Sequence, residues 1–249
     1  MNLRLIRNST MRLSYGGMEF LLDPFLSSKH TIESFAGVSL NPTVDLPCSP
    51  EEVVNGIDAV IVSHLHPDHF DQVVADLLPK DTPILCQPID DRYLRQSGLS
   101  GAEAVIDSTK WGGVTIKRTP GRHGSGVWAQ KMGNVSGFIF EAPDEPTLYW
   151  AGDTILTDEV KQVLKNIEPD VIITHSGGAQ FLGSGPIIMD GEQTTSVCLE
   201  NPKATIVATH LEALDHCIVS RSQLRALAKN SNIPNGRLLV PQDGETMEF

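Results

Sequence analysis

The chain has 249 residues, 40% of them hydrophobic and 20% charged, with a formal net charge of −12. That length can bury one sizeable α/β core, or two small ones. The acidic balance excludes a surface built for the phosphate backbone of nucleic acid, which needs clustered Lys and Arg.

In chain order, Leu3–Arg7, Met11–Tyr15 and Glu19–Leu22 alternate as strands, the last two joined at Gly16-Gly17 as a hairpin leading into Asp23-Pro24. Residues 27 to 50, rich in Ser, Pro and Gly, have no period and predict a long loop, a kind of segment that tends to be functional. The run 57 to 63, Ile-Asp-Ala-Val-Ile-Val-Ser, predicts a strand buried on both faces. Phe70–Leu78 has helical spacing and stops at Pro79. Pro83–Gln87 and Val114–Arg118 predict strands flanking a helix at Asp90–Gln96. Val135–Glu141 and Thr147–Trp150 predict a strand pair around Pro143-Asp144-Glu145-Pro146. The remainder predicts helix Thr157–Ile167, strand Val171–Thr174, helix Gly191–Leu199, strand Thr205–Thr209, helix Ser220–Ala228 and strand Arg237–Val240. With no repeat, linker or low-complexity tract, one domain over residues 1–249 is the simpler organisation.

The four cysteines are scattered without a CxxC pair, as small buried residues would be. The first residues lack the apolar stretch of a signal peptide, and no window approaches a membrane helix. A cytoplasmic protein with no membrane partner is expected.

Chemistry concentrates in His64-Leu65-His66-Pro67-Asp68-His69, directly behind the buried strand. Imidazole and carboxylate suit zinc and neighbouring first-row metals, manganese and iron included. In an extended segment His64 and His66 point to one side. Asp68 and His69 then turn toward a second position as the chain enters its helix.

His-x-His-x-Asp-His after a strand resembles the signature of the metallo-β-lactamase superfamily. His123 in Thr-Pro-Gly-Arg-His-Gly, Asp153 in Trp-Ala-Gly-Asp-Thr and His210 in Val-Ala-Thr-His follow in the order of its later ligands. Leu21-Leu22-Asp23-Pro24, residues 177–181 (Gly-Gly-Ala-Gln-Phe), Ile188-Met189-Asp190 and residues 241–245 (Pro-Gln-Asp-Gly-Glu) are similar to its ascorbate-6-phosphate-lactonase-like branch of zinc-dependent hydrolases. The resemblance implies a four-layer αββα sandwich. It implies one metal on His64, His66 and His123, a second on Asp68, His69 and His210, and Asp153 bridging them. Such a pair would activate a shared hydroxide for attack on a lactone or related ester or amide, with Asp68 close enough to pass a proton.

Individual residues keep alternatives. Asp153 could instead make an Asx-turn or helix cap. Asp190 could reach a metal or the substrate, or cap the helix from Gly191. His216 could contact substrate or protonate a leaving group, or be a loop histidine. His175 ends a strand facing the same cleft with no assigned role. Asp71 could support a ligand from behind or be a first-turn helix acid, the reading favoured, and Arg122 could bind a substrate anion or, as favoured, be a solvated side chain.

Flavodiiron proteins of this fold carry Glu where His66 stands, which excludes that redox function. A phosphodiesterase is the alternative enzyme, since bound metals can reverse a local field. A non-catalytic metal-binding scaffold is the alternative of another class. The partner expected is a small-molecule substrate; assembly into a homo-oligomer, known in this branch, stays open.

Overall fold

The computed structural model describes residues 1–249. The first half holds β1 (Asn2–Arg7), β2 (Thr10–Tyr15), β3 (Met18–Leu22), α1 (Pro50–Val54), β4 (Ala59–Val62), α2 (Gln72–Leu77), β5 (Ile84–Cys86), α3 (Asp90–Gln96) and β6 (Ala102–Ala104). The second holds β7 (Ser108–Trp111), β8 (Val114–Pro120), α4 (Val127–Met132), β9 (Ser136–Glu141), β10 (Leu148–Trp150), α5 (Asp158–Ile167), β11 (Val171–His175), α6 (Gly191–Glu200), β12 (Thr205–Thr209), α7 (Arg221–Asn230) and β13 (Leu238–Leu239). The last strand, β14 (Thr246–Glu248), crosses back to pair antiparallel with β1. Two seven-stranded sheets result, ordered β14-β1-β2-β3-β4-β5-β6 and β13-β12-β11-β10-β9-β8-β7.

The side-chain period of two along each central strand builds the layers. On β4, Ala59 and Ile61 enter the core between the sheets, while Val60 and Val62 join Val53 of α1, Val74 of α2 and Leu94 of α3. On β10 and β11, Leu148, Trp150, Val171 and Ile173 face the same inter-sheet core. Tyr149 and Ile172 instead meet Val160 and Leu164 of α5 and Val197 of α6. The order is therefore helices, sheet, sheet, helices: the expected αββα sandwich. Strands covered on both faces explain the unbroken apolar runs, each such side chain contributing about 1.5–3 kcal/mol on burial.

The hairpin forms where expected, with Gly16 and Gly17 both at positive φ (59° and 76°) and Tyr15 opposite Met18. Residues 27–49 are irregular apart from an Ile32–Asn41 bridge. Helix α1 follows them and was not expected, although Ser49 accepts from Glu52 N–H as its cap and Pro50 opens it. Strands β6 and β7 at the sheet edges were also not expected. Ala-Glu-Ala and Ser-Thr-Lys-Trp carry too little apolar alternation to announce a strand.

Strands β3 and β4 run parallel, as do β10, β11 and β12; β8 shares that sense through two antiparallel pairings. The C-terminal ends of β3, β4, β8, β10, β11 and β12 lead to Asp23, His64, His123, Asp153, His175 and His210. Loops after the carboxyl ends of strands are where α/β sheets carry their sites.

Candidate metal centre

Seven of the eight histidines gather at this edge, His30 alone standing apart. The loop after β4 is held through its backbone by side chains distant in sequence. Asn8 Nδ2 and Ser9 Oγ, in the β1–β2 turn, both donate to the Asp68 carbonyl, at 3.2 and 3.0 Å. The same turn accepts from His210 N–H through the Asn8 carbonyl, at 2.9 Å. One tight turn thus ties the two loops together. Gly177 lets β11's exit pass close beside them: a Cβ there would lie 2.1 Å from the His210 carbonyl oxygen.

Asp71 caps α2 through Oδ1, while its Oδ2 accepts from Leu26 N–H, Ser27 N–H and Ser27 Oγ–H. The expected first-turn acid is therefore a buried brace for the loop after β3.

One half of the centre is His64, His66 and His123, whose ligand atoms lie within 4.8 Å of one another. Hydrogen bonds set their protons. Ser63 Oγ–H donates to Asp23 Oδ2 at 2.6 Å, so at 3.0 Å it accepts from His64 Nδ1–H. His123 Nδ1–H donates to the Ile187 carbonyl at 2.8 Å. His64 and His123 thereby keep the lone pair on Nε2, that of His64 lying 2.9 Å from His66 Nδ1. Burial lowers the pKa of all three histidines, His64 most, so the rings stay neutral.

The other half is Asp68, His69 and His210. Asp68 Oδ2 lies 3.6 Å from His69 Nε2 and 3.2 Å from His210 Nε2. His69 Nδ1–H donates to Asp23 Oδ2 at 2.6 Å, and His210 Nδ1 meets Cys217 Sγ at 3.4 Å. Burial works against charge on His69, but Asp153, Asp68 and Asp23 outweigh it and push its pKa up to about 10. His210 is likewise raised against its burial, chiefly by Asp153. Burial opposes charge on Asp68 and Asp153 as well, yet His69 holds both well below the usual carboxylate range, with His210 adding to it.

Asp153 lies between the halves. Its Oδ2 is 3.2 Å from His69 Nε2, 3.3 Å from His123 Nε2 and 3.9 Å from His64 Nε2. The Nε2 atoms of His69 and His210 are buried and make no hydrogen bond, despite carboxylate oxygens 3.2 Å away. Unpartnered imidazole nitrogens and anionic oxygens converging in a closed space fit divalent cations, which would displace the imidazole protons and satisfy these atoms.

The seven residues expected as ligands are thus brought together at one edge of the sheets. Asp190 is corrected: its Oδ1 accepts from Gln193 N–H at 2.9 Å as the cap of α6, and none of its bonds reaches the cluster. His216, also named as catalytic, is buried beside His210, ring centroids 6.5 Å apart, with Nδ1 unpartnered. Phe35 and Phe181 pack on it at 5.0 and 5.6 Å, and Trp128 stacks on Phe181 at 5.5 Å. Arg122 is exposed beside Glu159, as expected of a solvated side chain.

Sequence reasoning missed Asp23, Ser63, Cys217 and the part played by His175. Asp23 was visible only as a motif residue; its φ of 39° and its three accepted bonds needed coordinates. Cys217, expected as inert packing, instead touches His210.

Residues 19–211 match the family model described as the Beta-lactamase superfamily domain. The UPF0173 protein YddR of Bacillus subtilis is 36% identical over the full length of both chains. A UPF0173 metal-dependent hydrolase of Xanthobacter autotrophicus is 25% identical over 71% of each. Among solved structures, an isothiocyanate hydrolase from Delia radicum gut bacteria superposes with a TM-score of 0.95 at 36% identity, covering 100% of this chain and 99% of the other.

Proposed function

The chain belongs to the Beta-lactamase superfamily domain family and is a metal-dependent hydrolase, and on that premise we propose a dinuclear centre that hydrolyses small, uncharged molecules at an electrophilic carbon. The observation that carries this reading is the convergence of the Nε2 atoms of His64, His123 and His69 on the carboxylates of Asp68 and Asp153. His64, His66 and His123 would hold one cation, Asp68, His69 and His210 the other, and Asp153 both. When bound, such a pair lowers the pKa of water and polarises the bond under attack.

The protein's own groups supply the rest. Asp68 Oδ2, at the inner end of the cluster, is placed to hold a proton taken from the attacking water. His216, with burial keeping its pKa down at about 4, offers a neutral Nδ1 to the substrate side. Phe35, Trp128 and Phe181 give the mouth an apolar, aromatic lining that orients a flat or aliphatic group and keeps water out. Lys131 sits over the Trp128 ring at 4.4 Å.

Among electrophilic carbons, the isothiocyanate group is the best supported. Full-length similarity to an isothiocyanate hydrolase and the apolar mouth both favour it. A lactone or related ester is the second reading, resting on the motifs at residues 21–24 and 177–181.

The test is elemental metal analysis beside a panel of isothiocyanates, lactones, thioesters and phosphodiesters. About two metals per chain, with loss of isothiocyanate absorbance, is the expected result. Lactone turnover alone would move the substrate to the second reading. Protein that binds no zinc or manganese and stays inert would be the scaffold.

A further inference from the structure

His175 closes β11 and is fully buried, with both ring nitrogens engaged. Trp150 Nε1–H donates to His175 Nε2 at 3.1 Å, and His175 Nδ1 meets Asp153 Oδ1 at 2.6 Å. An indole nitrogen can only donate. Nε2 therefore spends its lone pair on Trp150, and the ring's proton sits on Nδ1, aimed at Asp153. The indole is itself fully buried in the inter-sheet core, stacked on Phe138 at 5.8 Å. The plane of the His175 ring is thus set by the core of the fold, through β10 and its parallel neighbour β11.

The consequence falls on Asp153. Its two oxygens are not equivalent: Oδ1 accepts from His175 at 2.6 Å and lies 3.8 Å from His210 Nε2, while Oδ2 faces His69, His123 and His64 at 3.2, 3.3 and 3.9 Å. We propose that His175 is a positioning residue that holds Oδ1 of Asp153 and so aims Oδ2 between the two halves of the metal centre. The assignment rests on the metal-centre reading above. It also explains why His175, with a nitrogen within 4.8 Å of the ligand atoms of His69, Asp153 and His210, is not a ligand: neither of its nitrogens is free.

The experiment measures zinc affinity by chelator competition for the wild type, His175→Leu and His175→Asn, with His69→Ala as a ligand control. The ring tautomer of His175 is read by ¹⁵N NMR in the metal-free protein. Asn places an amide N–H where Nδ1–H stands, so it can still donate to Asp153. His175→Leu should bind zinc about 10–100-fold more weakly, the usual cost of losing a group that orients a ligand, and His175→Asn should recover most of that loss. The tautomer should be Nδ1–H with Nε2 bare, and the Trp150 indole N–H resonance should move in both variants.

Wild-type affinity in His175→Leu, or a ring protonated on Nε2 alone, would overturn the proposal. So would His175→Asn binding zinc as poorly as His69→Ala, which would make His175 a ligand. Should His175→Leu fail to fold, the Asn variant and the tautomer still decide. Wild-type protein that takes up no zinc would break the metal-centre reading instead, while the tautomer, read without metal, still tests the bond to Asp153.

Discussion

The two halves of the centre are built from the same kinds of residue and behave oppositely. His64, His66 and His123 form an all-nitrogen set in which burial, the largest influence, keeps the rings neutral. His69 and His210 face Asp68 and Asp153, and carboxylates outweigh burial to raise both. The lesson is that imidazole count does not set the protonation of a histidine cluster; the carboxylates around it do. The neutral half offers lone pairs without competition from protons near pH 7. The acidic half offers more attraction for a cation but must first release protons.

The largest blow to this comparison is Asp153→Ala, because Asp153 Oδ2 touches both halves. Activity should fall by about a thousandfold or more, the equivalent of several kcal/mol of lost metal assistance. Elemental analysis should find the metal pair lost; two metals still bound would remove Asp153 from the shared position. Next, His66→Ala should empty the all-nitrogen half and abolish turnover. A variant that keeps full metal content and activity would sink the assignment of that half.

Lowering pH should separate the halves without mutation. His69, raised to about 10, holds its proton through neutrality and must give it up to a metal. The His64 set, lowered below its ordinary 6.5, has no proton to lose there. Dialysis from pH 8 to pH 6 should therefore take metal content from about two per chain toward about one, the acidic half emptying first. Simultaneous loss from both halves would erase the distinction.

Asp23→Asn comes next, weakening metal affinity about 10–100-fold, since Asp23 orients His69 directly and His64 through Ser63. Isothermal titration with zinc would read it, and unchanged affinity would reduce Asp23 to a structural brace. The smallest effect belongs to the mouth. Asp215 accepts from Ser34 Oγ and from the backbone N–H groups of Phe35 and Val38, holding Phe35 over His216. Asp215→Ala should raise KM about 10-fold with metal content and kcat unchanged; a fall in kcat alone would mean the loop serves the chemistry.

What the sequence carried by itself is what depends on local chemistry and period. The apolar run 57–63 declared a doubly covered strand, Val171–Thr174 and Thr205–Thr209 declared strands, and His64 through His69 declared its metal chemistry, because ligand types and apolar runs are written in adjacent residues. His123, Asp153 and His210 could be picked out only through the order of a known pattern. Tertiary structure alone decided the rest, for one physical reason: tautomer, charge and cap are set by partners distant in sequence. Asp190 became a helix cap because its carboxylate meets Gln193 N–H rather than the cluster. Asp23 gained its place from Ser63 and His69, some forty residues on. His175 looked idle until Trp150 and Asp153 closed on its two nitrogens, a contact that exists only once β10 and β11 lie side by side.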